Sequence, residues 1–127
     1  MADSPHTAYG RHVLVDLADT CASVLNDGAA LAKALKDAAT AEGATVLGSI
    51  EHAFEPSGVT ILVLLAESHL SLHTYPAEGR AFFDAFTCGV RCEPINIFRR
   101  FIDAFPVGAY RVLCCERGEP AQRSTMS

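Results

Sequence analysis

Basic clusters are missing from this sequence. Ten Lys and Arg stand against fifteen Asp and Glu, for a formal charge of −5, and no Lys/Arg stripe runs along the chain. That makes nucleic acid a poor partner. Long apolar runs are missing too. The longest, Val59 to Ala66, is far too short to cross a bilayer, so no membrane partner is expected. The first residues, Met-Ala-Asp-Ser-Pro-His, lack the charged and apolar regions of a secretion signal, and the cytoplasm is the expected compartment. Five cysteines occur (Cys21, Cys88, Cys92, Cys114 and Cys115), but no Cys-x-x-Cys. Neither a zinc knuckle nor a thioredoxin-like pair is suggested. Reduced thiols are expected, with Cys21, Cys114 and Cys115 acting as small buried hydrophobes. No internal repeat is visible.

What remains is one domain, residues 1–127, with half its residues hydrophobic and enough length for a real core. Residues 1–9 read as a loose arm. Residues 12–17 have strand character, with Val13, Val15 and Leu17 on one face. Asn26 and Asp27 are N-cap types before a helix over 28–42, which buries Leu31, Leu35 and Ala38 and stops at Gly43. A strand over 44–54 and turn chemistry at Glu55-Pro-Ser-Gly58 follow. Val59 to Ala66 is apolar almost throughout, which predicts a strand covered on both faces. Residues 69–75 alternate, with His69, Ser71, His73 and Tyr75 on one side and Leu70 and Leu72 on the other. Pro76 and Gly79 break that strand. Residues 81–88 read as another, with Phe82, Asp84, Phe86 and Cys88 on one face. Pro94 opens a second helix, with Ile95, Phe98, Ile102 and Phe105 as its apolar stripe. A last strand over 109–116 precedes a tail over 118–127. The expected fold is α+β: a two-layer α/β sandwich with a mainly antiparallel sheet and two main helices. A second copy of the chain is a simple cover for the remaining sheet face.

The chemistry concentrates at 67–76, Glu-Ser-His-Leu-Ser-Leu-His-Thr-Tyr-Pro, and at Thr87-Cys88-Gly89. A serine at the end of a strand, before a sharp turn, is placed for peptide self-scission. Ser68 Oγ attacks the Glu67 carbonyl to give an ester, through an oxyanion that needs donors. A base then removes the residue-68 Cα proton and β-elimination expels the Glu67 carboxylate. The dehydroalanine left behind hydrolyses to a pyruvoyl group with loss of ammonia. An imidazole is the side chain suited to proton work at neutral pH, which makes His73 a candidate acid/base. It lies an odd number of residues from Ser68, however, so a kink at Ser68 or His69 is required to bring the two together. Cys88, where strand yields to loop, is expected to be partly exposed and reactive. His69 and His73 would chelate zinc on a helix, but on a strand they are about 13 Å apart. No metal site is expected.

Together these residues resemble the S-adenosylmethionine decarboxylase family in its short prokaryotic form. The likeness runs from Gly10-Arg11-His12 to Gly118. It includes Gly43-Ala44-Thr45, His52-Ala53-Phe54 with Pro56 and Gly58-Val59-Thr60, the Glu67-to-Thr74 block, and Asp84-Ala85-Phe86-Thr87-Cys88-Gly89. The resemblance implies that Ser68 becomes a covalent pyruvoyl group, the only cofactor, leaving a β chain 1–67 and an α chain 68–127. It implies processing by Glu67, Ser68, Thr60 and His73, and catalysis by Ser68, His73 and Cys88, with Cys88 returning a proton to the substrate carbon. Phe54, Glu67 and Tyr75 would contact a small amino-acid-type substrate, Phe54 by stacking on adenine. A homodimer with sites at or near its interface is implied, and a role in spermidine synthesis. One departure stands out. The family pattern His-Thr-Trp-Pro-Glu reads His73-Thr74-Tyr75-Pro76-Ala77 here. Ala77 occupies the place of an acid that grips the two ribose hydroxyls, which leaves L-ornithine or L-arginine as alternative substrates and a non-cleaving regulatory relative as a third reading.

Overall fold

The computed structural model describes residues 8–88, 92–118 and 123–124. Residues 1–7 of the expected arm, Gly89 of the Thr-Cys-Gly motif, and 119–122 and 125–127 of the expected tail lie outside the described residues.

Six strands form one antiparallel sheet in the order β2-β3-β4-β5-β1-β6. They are β1 (Gly10–Ala18), β2 (Val46–Ala53), β3 (Val59–Leu65), β4 (Ser68–Tyr75), β5 (Arg80–Thr87) and β6 (Ala109–Arg117). Strands β2 to β5 follow one another by hairpins. β1 inserts between β5 and β6, a pairing of residues about seventy or more apart that no local signal announces. Helix α1 (Ala22–Leu25), absent from the sequence reading, precedes α2 (Gly28–Ala41), and α3 (Pro94–Ile102) follows β5. Asp27 caps α2 by accepting from the Ala30 N–H at 3.1 Å, and Gly43 takes a φ of 88° where that helix stops, both as the sequence indicates.

Both long helices lie on the same side of the sheet. α2 buries Leu31, Ala32, Leu35, Ala38 and Ala39. α3 buries Pro94, Ile97, Phe98 and Phe101, so the expected stripe is shifted. Phe98 belongs to it, whereas Ile95, Ile102 and Phe105 pack only at its margin. Phe83 explains the phase: its ring meets Phe98 at 5.2 Å and stacks on Phe101 at 5.6 Å. Beneath the helices the sheet contributes Val13, Val15, Leu17, Ile61, Val63, Leu70, Leu72 and Ala85, all buried.

The opposite sheet face is open, which corrects the expectation for β3. Val59, Ile61, Val63 and Leu65 are buried, but Leu62 is 45% and Leu64 57% exposed. The apolar run reflects two apolar faces, only one of which this chain covers. The cysteine expectation is corrected as well. Cys21, Cys114 and Cys115 are exposed, and it is Cys88 and Cys92 that are buried. Cys114 and Cys115 fall on β6, an edge strand that neither helix blankets.

Candidate active site

The register lays the polar residues of the open face in rows across the sheet. His12 pairs with Phe86, and Phe86 with His69. One row over, Leu14, Asp84 and Ser71 lie side by side; beyond them come Asp16, Phe82, His73 and Thr60.

Ser68 opens β4 after the two-residue link Ala66-Glu67, since Leu65 and Ser68 are already paired. Tight hairpin links want a residue tolerant of positive φ, and neither Ala66 nor Glu67 is glycine or asparagine. The strain falls on Ser68 itself, whose φ is 150°, a region costly for a residue with a Cβ. The hairpin is pinned on its other side: Thr45 accepts from the Ala66 N–H at 2.9 Å and donates its own N–H to Glu67 Oε1 at 2.9 Å. Glu67 is buried, so its carboxylate is a fixed part of the turn.

Ser68 Oγ lies 3.5 Å from His69 Nδ1. The other ring nitrogen, His69 Nε2, is 3.1 Å from Asp84 Oδ2. The same oxygen receives His12 Nε2 at 2.6 Å, and Ser71 donates its hydroxyl to Asp84 Oδ1. Burial pushes the Asp84 carboxyl up, but hydrogen bonds from His69, Ser71 and His12 more than reverse this and hold it well below the usual carboxylate range. An ionised Asp84 accepts only, so His12 and His69 each turn an N–H towards it. The Phe86 ring backs both imidazoles, with centroids at 5.4 and 6.2 Å.

His73 is held elsewhere, with its Nδ1 3.0 Å from Thr60 Oγ1. The kink at Ser68 therefore exists but brings His69, not His73, to the serine. Along β4, Ser68 and His73 are five residues apart, roughly 16 Å at strand spacing. Phe54 and Tyr75 belong to the His73 end. Phe54 is half exposed, its ring 4.6 Å from His52, and Tyr75 packs on Phe82 at 5.3 Å. The fold thus splits the expected residues into a Ser68 end, with Glu67, and a His73 end, with Thr60, Phe54 and Tyr75.

Cys88 follows β5 directly, two residues beyond the partner of His69, which carries it to the Glu67-Ser68 side. It is buried, not partly exposed as expected, and beside it Thr87 donates its hydroxyl to the Cys92 carbonyl. Burial, then the charge of Glu67, pushes the Cys92 thiol up to about 12.

The nitrogens and oxygen of His12, His69 and Asp84 lie within 4.8 Å of one another, close enough for three ligands of one ion. Each imidazole is already within hydrogen-bond reach of the carboxylate, however. The pair weighed from sequence, His69 with His73, is not brought together. Sequence reading missed the roles of His12, Ser71 and Asp84. The alternation of residues 81–88 puts Asp84 on a face with Phe86, but which strands flank that face depends on non-local pairing.

The family model for S-adenosylmethionine decarboxylase matches residues 11–118. The chain is 48% identical over 89 residues to the S-adenosylmethionine decarboxylase proenzyme of Brevibacillus brevis, across 70% of this chain and 67% of that one. It is 51% identical over 85 residues to the proenzyme of Prochlorococcus marinus, across 67% and 68%. The crystal structure of the adenosylmethionine decarboxylase from Aquifex aeolicus superposes with a TM-score of 0.81 at 29% identity, covering 95% of this chain and 100% of that chain.

Proposed function

The chain belongs to the S-adenosylmethionine decarboxylase family, and from that premise we propose that it is a self-cleaving, pyruvoyl-dependent decarboxylase of S-adenosylmethionine. The observation that carries the self-cleaving part is Ser68: a serine at φ 150°, its hydroxyl beside an imidazole, on a hairpin clamped through Thr45. Strain at the Glu67–Ser68 link raises the ground state and is released as that amide breaks. Scission leaves residues 1–67 and 68–127. The residues present fit a group made from Ser68, since its backbone pairs with Leu65, the link before it is held by Thr45, and its hydroxyl lies beside His69. A pyruvoyl ketone at this position supplies an electron sink for loss of CO2 from an α-amino acid.

The chain's other residues divide the remaining work. Thr60 orients His73, whose imidazole takes the Cα proton of residue 68 in the elimination step. Cys88, buried on the Glu67-Ser68 side, excludes water and returns a proton to the substrate carbon. Phe54 and Tyr75 offer aromatic faces to the adenine and the sulfonium, a cation–π contact on the order of 0.5–2 kcal/mol. His73, Phe54 and Tyr75 lie about a strand's length from Ser68, so the working site needs a homodimer. Two open faces packed together, with one copy reversed, set the His73 end of one copy over the Ser68 end of the other and cover Leu62, Leu64 and Ile50. The product is assigned to polyamine synthesis, the pathway use that membership of the family implies.

Ala77 favours a second reading for the substrate alone. It sits exposed in the 3-10 turn Pro76–Glu78 that follows β4, beside the His73 end, with no carboxylate of its own for a ribose diol. Glu78, exposed on the same turn, is the nearest acid in sequence. The test measures CO2 release from adenosylmethionine, ornithine and arginine side by side, with a denaturing gel of the same sample. Two fragments of 67 and 60 residues and turnover of adenosylmethionine are expected. A chain that stays intact refutes the self-cleaving reading, and turnover of ornithine or arginine instead moves the substrate.

A further inference from the structure

Three side chains at the chain break have no role in the scheme above: His69, Asp84 and His12. We propose that Ser68, His69 and Asp84 form a nucleophile–base–orienter triad that drives the first step of self-cleavage, the acyl shift, inside a single chain. The inference rests on the self-cleaving reading and adds to it which group activates the serine.

The geometry has the three parts such a device requires. The nucleophile, Ser68 Oγ, is 3.5 Å from His69 Nδ1. That is the outer edge of hydrogen-bond reach, and resting catalytic contacts are often long before the reacting geometry forms. The base is in turn oriented, because His69 Nε2 is 3.1 Å from Asp84 Oδ2. An acceptor-only carboxylate at Nε2 requires the proton of neutral His69 to sit on Nε2. Its lone pair then sits on Nδ1, the nitrogen that faces Ser68. Asp84 is itself fixed by Ser71 on one oxygen and by His12 on the other, and Phe86 backs the two rings. The same chain's own His73 has no such access, since its Nδ1 is taken up with Thr60 and it lies five residues along the strand.

The step balances. Ser68 Oγ bonds to the Glu67 carbonyl carbon as His69 Nδ1 takes the hydroxyl proton. The imidazolium so formed is held by Asp84. The carbon–nitrogen bond between Glu67 and Ser68 breaks, and His69 returns the proton to the departing nitrogen, which becomes the free amine of residue 68. An ester has replaced an amide, and His69 is neutral again. His73 acts only afterwards, on the Cα proton. The two histidines thus serve consecutive steps, one before and one after the ester.

That order can be read with hydroxylamine, which cleaves esters and leaves amides intact. The unprocessed chain is followed on a denaturing gel, with and without hydroxylamine, for the wild type, His69→Ala, Asp84→Asn and His73→Ala. His69→Ala should slow fragmentation on the order of a hundredfold, with no acceleration by hydroxylamine, because no ester has formed. Asp84→Asn should slow it in the same way. His73→Ala should accumulate ester, which hydroxylamine splits promptly into fragments of 67 and 60 residues. In a Ser68→Cys background the thiol ionises more readily, so the penalty of His69→Ala should shrink; a merely structural His69 would slow both backgrounds alike. The His69 side chain is 43% exposed, and His69→Gln carries the same test if His69→Ala does not fold. Fragmentation of His69→Ala at the wild-type rate, or a hydroxylamine-labile ester building up in it, overturns the triad and leaves self-cleavage standing. A wild-type chain that never fragments overturns both.

Discussion

Ser68 carries a nucleophile and a strained backbone at one position. A φ of 150° costs a residue with a Cβ on the order of 1–3 kcal/mol and costs glycine far less. Two variants without a hydroxyl separate this strain from the chemistry. Ser68→Ala keeps the strain and Ser68→Gly relieves it, partly offset by the greater freedom of glycine in the unfolded chain. Ser68→Gly should therefore unfold in urea with about 1 kcal/mol more stability than Ser68→Ala, and neither should fragment. Equal midpoints would mean that the hairpin holds no strain at this residue. The serine itself, the glutamate before it and the block through Thr74 are legible in the sequence. That His69 rather than His73 reaches the serine is not: both histidines alternate onto the same face, and only the turn geometry at residue 68 selects between them.

Among the elements, β1 decides the most, and its pairing is announced the least. Its pairing with β5 places His12 beside Phe86 and so brings a second imidazole to Asp84. Gly10 makes that approach possible. A Cβ there would meet the Thr87 carbonyl oxygen at 2.4 Å and the Phe86 ring at 2.7 Å, closer than real contacts allow. Gly10→Ala should push Phe86 and Thr87 aside, loosening both the ring behind His69 and the Thr87–Cys92 hydrogen bond beside Cys88. The expected result is a folded protein, destabilised by about 1–3 kcal/mol in denaturant titration, that fragments several-fold more slowly. Unchanged fragmentation would show that Phe86 is not a support for the network. Strand alternation and the helix limits of α2 are legible because they depend on local period and capping. The phase of α3 is not, because Phe83 on a distant strand sets which of its apolar residues turn inward.

For the whole molecule, the open sheet face is the dominant fact. Leu62, Leu64, Ile50 and Leu113 stand exposed on it beside the histidines and Asp84. A surface that is both apolar and chemically furnished is one that an assembly covers. The proposed dimer should have twice the 13.5 kDa chain mass by light scattering. Leu64→Lys, which places a charge on that face, should shift it towards monomer and abolish decarboxylation. A monomeric wild type with full activity would remove the second copy from the site.

The sequence alone determined the α+β class and the alternation that carries His69, Ser71 and His73 on one face, and it singled out the Glu67-Ser68 junction for the proposed chemistry. These follow from periods of two and of 3.6 residues and from motif spacing, which are properties of neighbours along the chain. Only the tertiary structure decided that both helices cover one face, that Cys88 is buried while Cys114 and Cys115 are not, and that Asp84 ties His12 and His69 into one network. Each depends on which distant strand lies alongside which, and pairing across about seventy residues leaves no trace in local pattern.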